Sequence, residues 1–219
     1  MKPPNPTLPP RMSRRRAFAV IASVAAMATL SSCSLSRPAP VKRTFLLEPA
    51  MPAVAATPRP TSVRVGVVSV AAPFRGKAFV YRESELKYDA DYYDEFFVAP
   101  AIMLSEATAK ALTAANVFRR VVPFGAAADD GDYVLDGFVS ELYGDVRNPA
   151  APVAVITAAF YLSPTNVVAP GVIWSREYRQ RVAASNASPE AMAKAWNTAL
   201  SAILADLARD LAVADLPKP

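Results

Sequence analysis

The sequence predicts an α+β domain: a mostly antiparallel sheet with two long helices packed on one face. Three observations lead there. Runs rich in Val, Ile, Tyr and Phe recur from Thr61 onward, many of them alternating as half-buried strands do. An apolar stripe at spacings of three and four interrupts them around residues 94–115, and a second stripe, with a clear start signal, follows them near the end of the chain.

Taken in order, Val63–Val70 begins with a clean apolar/polar alternation and reads as a strand with at least one buried face. Ala78–Arg82 and Glu85–Tyr88 read as a hairpin turning at Glu83-Ser84. Asp94–Ala115 is expected to be helical: Phe97, Ala101, Leu104, Thr108, Ala111, Leu112 and Ala115 share a stripe, acids stand at its start, and Pro100 is tolerable only in a first turn. Val117–Pro123 is a short strand, Asp129–Asp132 a turn. Tyr133–Val139, Val153–Leu162 and Val172–Val182 are expected to form an antiparallel meander. The last helix has the sharpest boundary, with Ser188 as N-cap, Pro189 at the first helical position and Glu190 beside the positive helix end. Met192, Trp196, Ala199, Ile203, Leu207 and Leu211 then line one face. These elements place one domain over residues 61–214.

Upstream the composition changes. Arg11, Arg14, Arg15 and Arg16 precede the uncharged run Ala17–Leu30, whose helical length of about 21 Å falls short of a hydrocarbon core of about 30 Å. Residues 1–32 therefore read as a signal peptide, with residues 1–11 set aside because Met12 offers a later start. A small-x-small site at Ala26-Met27-Ala28 competes with Leu30, Ser31, Ser32 and Cys33, which resemble the bacterial lipobox, an aliphatic and two small residues before a cysteine that is acylated. Cys33 is the chain's one cysteine, so it cannot form an internal disulfide, and lipid attachment explains its position. Several acyl chains on one residue suffice for stable anchoring. Ser34 follows where inner-membrane lipoproteins of enterobacteria carry Asp, so the resemblance favours the outer membrane. Arg15-Arg16-Ala17-Phe18 loosely matches a twin-arginine signal, and the general secretory route stays open beside it. Residues 33–60 are Pro- and Ala-rich, as expected for a tether, with Thr44–Leu47 patterned like an edge strand. As a random coil, Ser34–Pro60 would span about 26–31 Å.

Charge follows the same division. Five of the 24 Lys and Arg lie in residues 1–32, which hold no acid, leaving 19 basic against 19 acidic residues. A neutral mature chain loses the main argument for nucleic-acid binding. With no histidine anywhere, imidazole catalysis and His-ligated zinc are excluded, and no G-x-S-x-G, P-loop or G-x-G-x-x-G pattern occurs among seven glycines. Asp89, Asp91 and Asp94 lack the spacing of a calcium loop, Asp129, Asp130 and Asp132 suit a solvated turn, and Glu141 with Asp145 is a carboxylate pair without a visible cleft. No catalytic residue, metal or cofactor is expected beyond the covalent lipid.

The densest chemistry is Tyr88–Phe97, "YDADYYDEFF", five aromatics among four acids. Some of these rings should seal the core. Tyr92, Tyr93 and Phe96 are the candidates for a contact patch with a partner protein, because Tyr and Phe are enriched in interface cores.

A lipobox, F-L-L-E-P, a V-x-V-G-x-V-x-V strand holding Gly66, the hairpin F-V-Y-R with Tyr81-Arg82, D-Y-Y-x-E-F-x-V-x-P and Val121-Val122-Pro123 together resemble the ABC-type transport auxiliary lipoproteins of Gram-negative bacteria, the PqiC-like family. The resemblance covers about Thr44–Leu211, and Phe96 stands where many members carry Trp. It implies a non-catalytic subunit, anchored in the outer membrane and facing the periplasm, that works with a periplasmic MCE-type protein and an inner-membrane ABC transporter complex moving lipids; with no active-site chemistry on a tethered domain, the expected role is a docking piece at the outer-membrane end. Two other readings stand beside it: a lipid carrier sheltering an acyl chain near Trp174, Phe160 and Trp196, and a structural envelope lipoprotein. Mass spectrometry of the mature protein is expected to find Cys33 at the N-terminus with acyl mass added, and Cys33→Ser to abolish both processing and acylation. A chain cleaved at Ala28 with a free thiol would refute the lipobox reading.

Overall fold

The computed structural model describes residues 41–54, 57–126, 131–165 and 171–217. The lipobox residues Leu30, Ser31, Ser32 and Cys33 and the turn residues Asp129 and Asp130 lie outside these. Along the chain run β1 (Arg43–Phe45), β2 (Arg59–Val70), a 3-10 turn (Ala72–Phe74), β3 (Ala78–Arg82), β4 (Tyr88–Phe96), α1 (Pro100–Ala114), β5 (Phe118–Val122), β6 (Tyr133–Asp145), β7 (Val153–Pro164), β8 (Trp174–Ala183) and α2 (Pro189–Val213).

All eight strands join one sheet organised by β6. One edge of β6 pairs with β7 along its whole length, and β7 with β8, giving the antiparallel meander read from the sequence. Its other edge is shared end to end: β2 lies parallel to its first half, from Val63↔Tyr133 to Val70↔Val139, and β3 takes over at Tyr81↔Gly144. A bulge in β6 between Val139 and Glu141 marks the handover, bending the strand where its partner changes. β5 extends the sheet beyond β2, in parallel, and β4 and then β1 extend it beyond β3. The ladder is therefore mixed, with most of its paired residues antiparallel.

Both helices cover one face, α1 on β2 and β5, α2 on β7 and β8. The stripe of α2 is fully buried at Met192, Trp196, Ala199, Ile203, Leu207 and Leu211. Its cap forms as the sequence indicates, the Ala191 N–H donating to Ser188 Oγ with Pro189 following. Its other end is closed by a residue distant in sequence: the Arg59 guanidinium donates to the carbonyls of Leu211, Ala212 and Ala214. Ser105 of α1 accepts from the amide of Val68, inside a bulge of β2, so a buried donor freed by the irregular strand is satisfied by the helix above it.

Two boundaries differ from the sequence reading. The first helix begins at Pro100 rather than Asp94. Asp94–Phe96 continue β4, pairing with β1, and Pro100, lacking an N–H, stands at the first helical position after an extended Ala99. The hairpin's second strand starts at Tyr88 opposite Arg82, so the turn spans Glu83–Lys87. The segment assigned to the tether also contributes structure. Here β1 pairs with β4, Leu47 and Pro49 are buried, the Glu48 N–H donates to Asn197 Oδ1, and the Ala50 N–H donates to Ser201 Oγ on α2.

Gly144 sits at the junction of β6, β3 and α2. A Cβ there would lie 2.8 Å from Tyr81 Cδ1 and 2.9 Å from Met192 Cε, closer than real Cβ atoms approach. Gly144→Ala is expected to destabilise the domain by about 1–3 kcal/mol in urea unfolding, by overpacking, with little change in m-value. An unchanged midpoint would contradict this packing.

A candidate docking groove at the bulge of β4

Between Val80↔Ala90 and Ala78↔Glu95 the β3–β4 register jumps, so β4 carries extra residues that bow out of the ladder. Asp91 holds the bow, its Oδ1 accepting from the amides of Tyr93 (2.8 Å) and Asp94 (3.0 Å). The consequence is an outward pair of rings. Tyr92 is 72% and Tyr93 41% exposed, and they meet edge to face at 5.0 Å with Lys42 Nζ 5.4 Å from the Tyr92 ring centre.

Phe96 does not belong to this surface. At 2% exposure it is core, 4.7 Å from Phe79 and 5.6 Å from Trp196 between ring centres, because it follows the bow and returns to the pleat, pointing under the helices. It is thus removed from the contact patch. Tyr88 packs on Phe74 and Tyr143, with the Arg82 guanidinium over its ring, while Phe97 is exposed.

The bow borders an open groove of about 1030 Å³, whose walls include Tyr81, Asp89, Asp91, Tyr92, Tyr93 and Arg147. Arg43 and Asp94 lie at its edge in a bidentate pair (Nε–Oδ1 2.7 Å, Nη2–Oδ2 2.9 Å), and Arg43 Nη1 donates to Glu190 Oε1 at 2.8 Å. One guanidinium thereby joins β1, β4 and the start of α2. Below it, Lys42 and Lys77 donate to Glu95 and hold its carboxyl below the usual carboxylate value. Tyr81 is one of the groove's wall residues, and its hydroxyl oxygen is buried without a hydrogen-bond partner. Burial first, then the charges of Asp91 and Asp94, push its pKa up, so it stays a neutral O–H donor.

The other acidic candidates are structural. Asp132 Oδ2 accepts from the Ser62 amide and hydroxyl, and these bonds hold its carboxyl low. Glu141 accepts from Thr157 Oγ1 and pairs with Arg179. Asp145 is gripped by Arg147 (2.7 Å) and Arg181 (3.2 Å). Among the described residues no group of three or more His, Cys, Asp or Glu is placed to hold a metal ion, and no helix is long and apolar enough to cross a membrane. Trp196 is enclosed by Phe79 and Phe96 and donates its N–H to the Tyr143 carbonyl, and Phe160 packs on Tyr178, so both are engaged in core contacts. What the groove offers is recognition chemistry: aromatic rings, carboxylates and the guanidinium groups of Arg43 and Arg147.

The family model for the ABC-type transport auxiliary lipoprotein component matches residues 45–209. The chain belongs to this family, and it is a non-catalytic auxiliary component of ABC-type transport. Among solved structures, a protein from Xanthomonas campestris is similar with a TM-score of 0.67 at 18% identity, over 77% of this chain and 95% of that one. A second crystal structure, of an uncharacterized protein, gives 0.60 at 16% identity over 78% and 99%. At these identities the likeness shows the fold alone. No curated protein sequence matches.

The sequence presents Asp91 and Asp94 only as candidate calcium ligands, and their roles in the bow and in the pair with Arg43 escape it; the one signal is the density of acids in an otherwise aromatic segment. A pH effect follows from Asp145, whose carboxyl the hydrogen bonds from Arg147 hold far below its ordinary value. Its contribution is complete above the unfolded value of about 4 and is lost as pH falls through the folded one. Asp145→Asn is expected to cost about 1–2 kcal/mol near neutrality, its partners being half exposed, and to flatten the loss of stability below pH 4. Equal acid profiles for parent and variant would contradict it.

Proposed function

We propose that this chain is the outer-membrane-anchored docking subunit of an ABC/MCE-type lipid transport system, held by lipid on Cys33 and presenting the Tyr92–Tyr93 groove to a periplasmic MCE-type protein that leads to the inner-membrane transporter. Family membership supplies the transport context. The observation that carries the docking role is the bow of β4: a strand held out of register by Asp91 keeps two tyrosines facing solvent beside a groove, an arrangement the core does not need.

The tether supports the same reading. Since β1 starts at Arg43, about ten residues separate it from Cys33. They reach at most about 33–36 Å fully extended, and about 16–19 Å as a flexible coil. The domain is therefore kept close to its bilayer, as a fixed end piece would be, rather than swung across the periplasm.

In membrane extracts, the tagged parent is expected to co-purify with the MCE-type protein and the Tyr92→Ser/Tyr93→Ser variant to lose it at least about tenfold, the equivalent of 1.4 kcal/mol, with unchanged thermal unfolding. Retention of the partner by a folded double variant would refute the groove as the docking site. Loss of both stability and partner would instead mark the two rings as structural.

A further inference from the structure

A second groove, of about 500 Å³, opens between the segment following β1 and the first turns of α1. Its character is opposite to that of the docking groove. Leu46 is 48% exposed, Met51 45%, Phe97 58% and Ile102 44%, four large apolar side chains lining one concavity, with only Glu48, Glu106 and Lys110 charged at its walls. Apolar clusters of this kind at a protein surface mark a contact.

The geometry points to a phospholipid bilayer as the occupant. We infer that Leu46, Met51, Phe97 and Ile102 form a membrane-contact patch that rests in the interfacial region of the bilayer carrying the protein's own anchor. The inference rests on lipid attachment at Cys33. Leu46 follows directly on β1, so about thirteen residues link the patch to the anchor, and the Phe97 N–H donates to the Phe45 carbonyl (2.8 Å), fixing the two rims of the groove together beside the point where the chain enters the sheet. A domain on so short a lead presents a surface near its attachment point to the lipid, and because Arg43 lines the Tyr92 groove as Leu46 lines this one, polarity decides between the two. Charge agrees. Glu106 pairs with Lys110, leaving Glu48 as the one other ionised wall residue, whereas the Tyr92 groove sets Glu83, Asp89, Asp91 and Asp94 against Arg43 and Arg147, a strongly polar and net negative wall ill matched to an apolar, anionic membrane surface. An apolar patch beside an acyl anchor is the two-signal arrangement that holds a domain down rather than merely nearby.

Spin labels on Ile102→Cys and, independently, Leu46→Cys test it in the full lipidated protein, with Ser175→Cys on β8, at the opposite edge of the sheet from β1, as reference. The acylated Cys33 sulfur takes no label. In vesicles of phosphatidylethanolamine and phosphatidylglycerol, the labels at 46 and 102 are expected to lose accessibility to an aqueous nickel complex and keep it to oxygen, while 175 stays accessible to nickel. Full nickel accessibility at both positions in protein that floats with the vesicles overturns the patch and leaves the anchor standing. Shielding from nickel and oxygen together, meaning a protein occupant, also overturns it. Protein that fails to float overturns the anchor and the patch with it.

Discussion

The constraint on which the rest of the structure depends is the divided edge of β6. A strand of thirteen residues pairs with β7 on one side and, on the other, with β2 and then β3 in succession. Without that division the sheet would be a meander with two parallel neighbours. With it, a second wing, β3–β4–β1, grows from the far half of β6 and carries the Tyr92–Tyr93 bow. The small residue Gly144 lets Tyr81 and Met192 close on the junction, and the core of Phe79, Phe96 and Trp196 forms directly behind the wing.

Because β4 ends in register with β1 but bows before it, the wing shows two chemistries. Inward, Phe96 completes an aromatic cluster. Outward, Tyr92 and Tyr93 stand beside a groove of carboxylates and guanidinium groups. Arg43 locks the arrangement by pairing with Asp94 and Glu190, which ties the first strand both to the sheet and to the helix that covers it.

Legibility from the sequence divided along physical lines. Elements with a local signal were plain: Ser188-Pro189-Glu190 specify a helix start wherever the chain goes, and the alternating runs of β2, β6, β7 and β8 need a buried face. The first helix was read six residues early because Asp94, Glu95 and Phe97 suit a helix N-terminus as well as they suit a strand, and only pairing with a distant three-residue segment decides between them. Phe96 was read as surface for the same reason, since a bulge changes which residues face inward and leaves no compositional trace. The Pro-rich look of residues 42–52 likewise hid an ordered path, whose hydrogen bonds go to Asn197 and Ser201, about 150 residues away.

The account's central claim is that the working domain begins at Arg43, so that the segment read as tether is part of the fold from β1 onward. Amide hydrogen exchange on the lipidated protein measures this directly. The account predicts that amides of residues 44–50 exchange far more slowly than an unstructured peptide, in step with those of β4. Exchange of that segment at the free-peptide rate while β4 remains protected would contradict it.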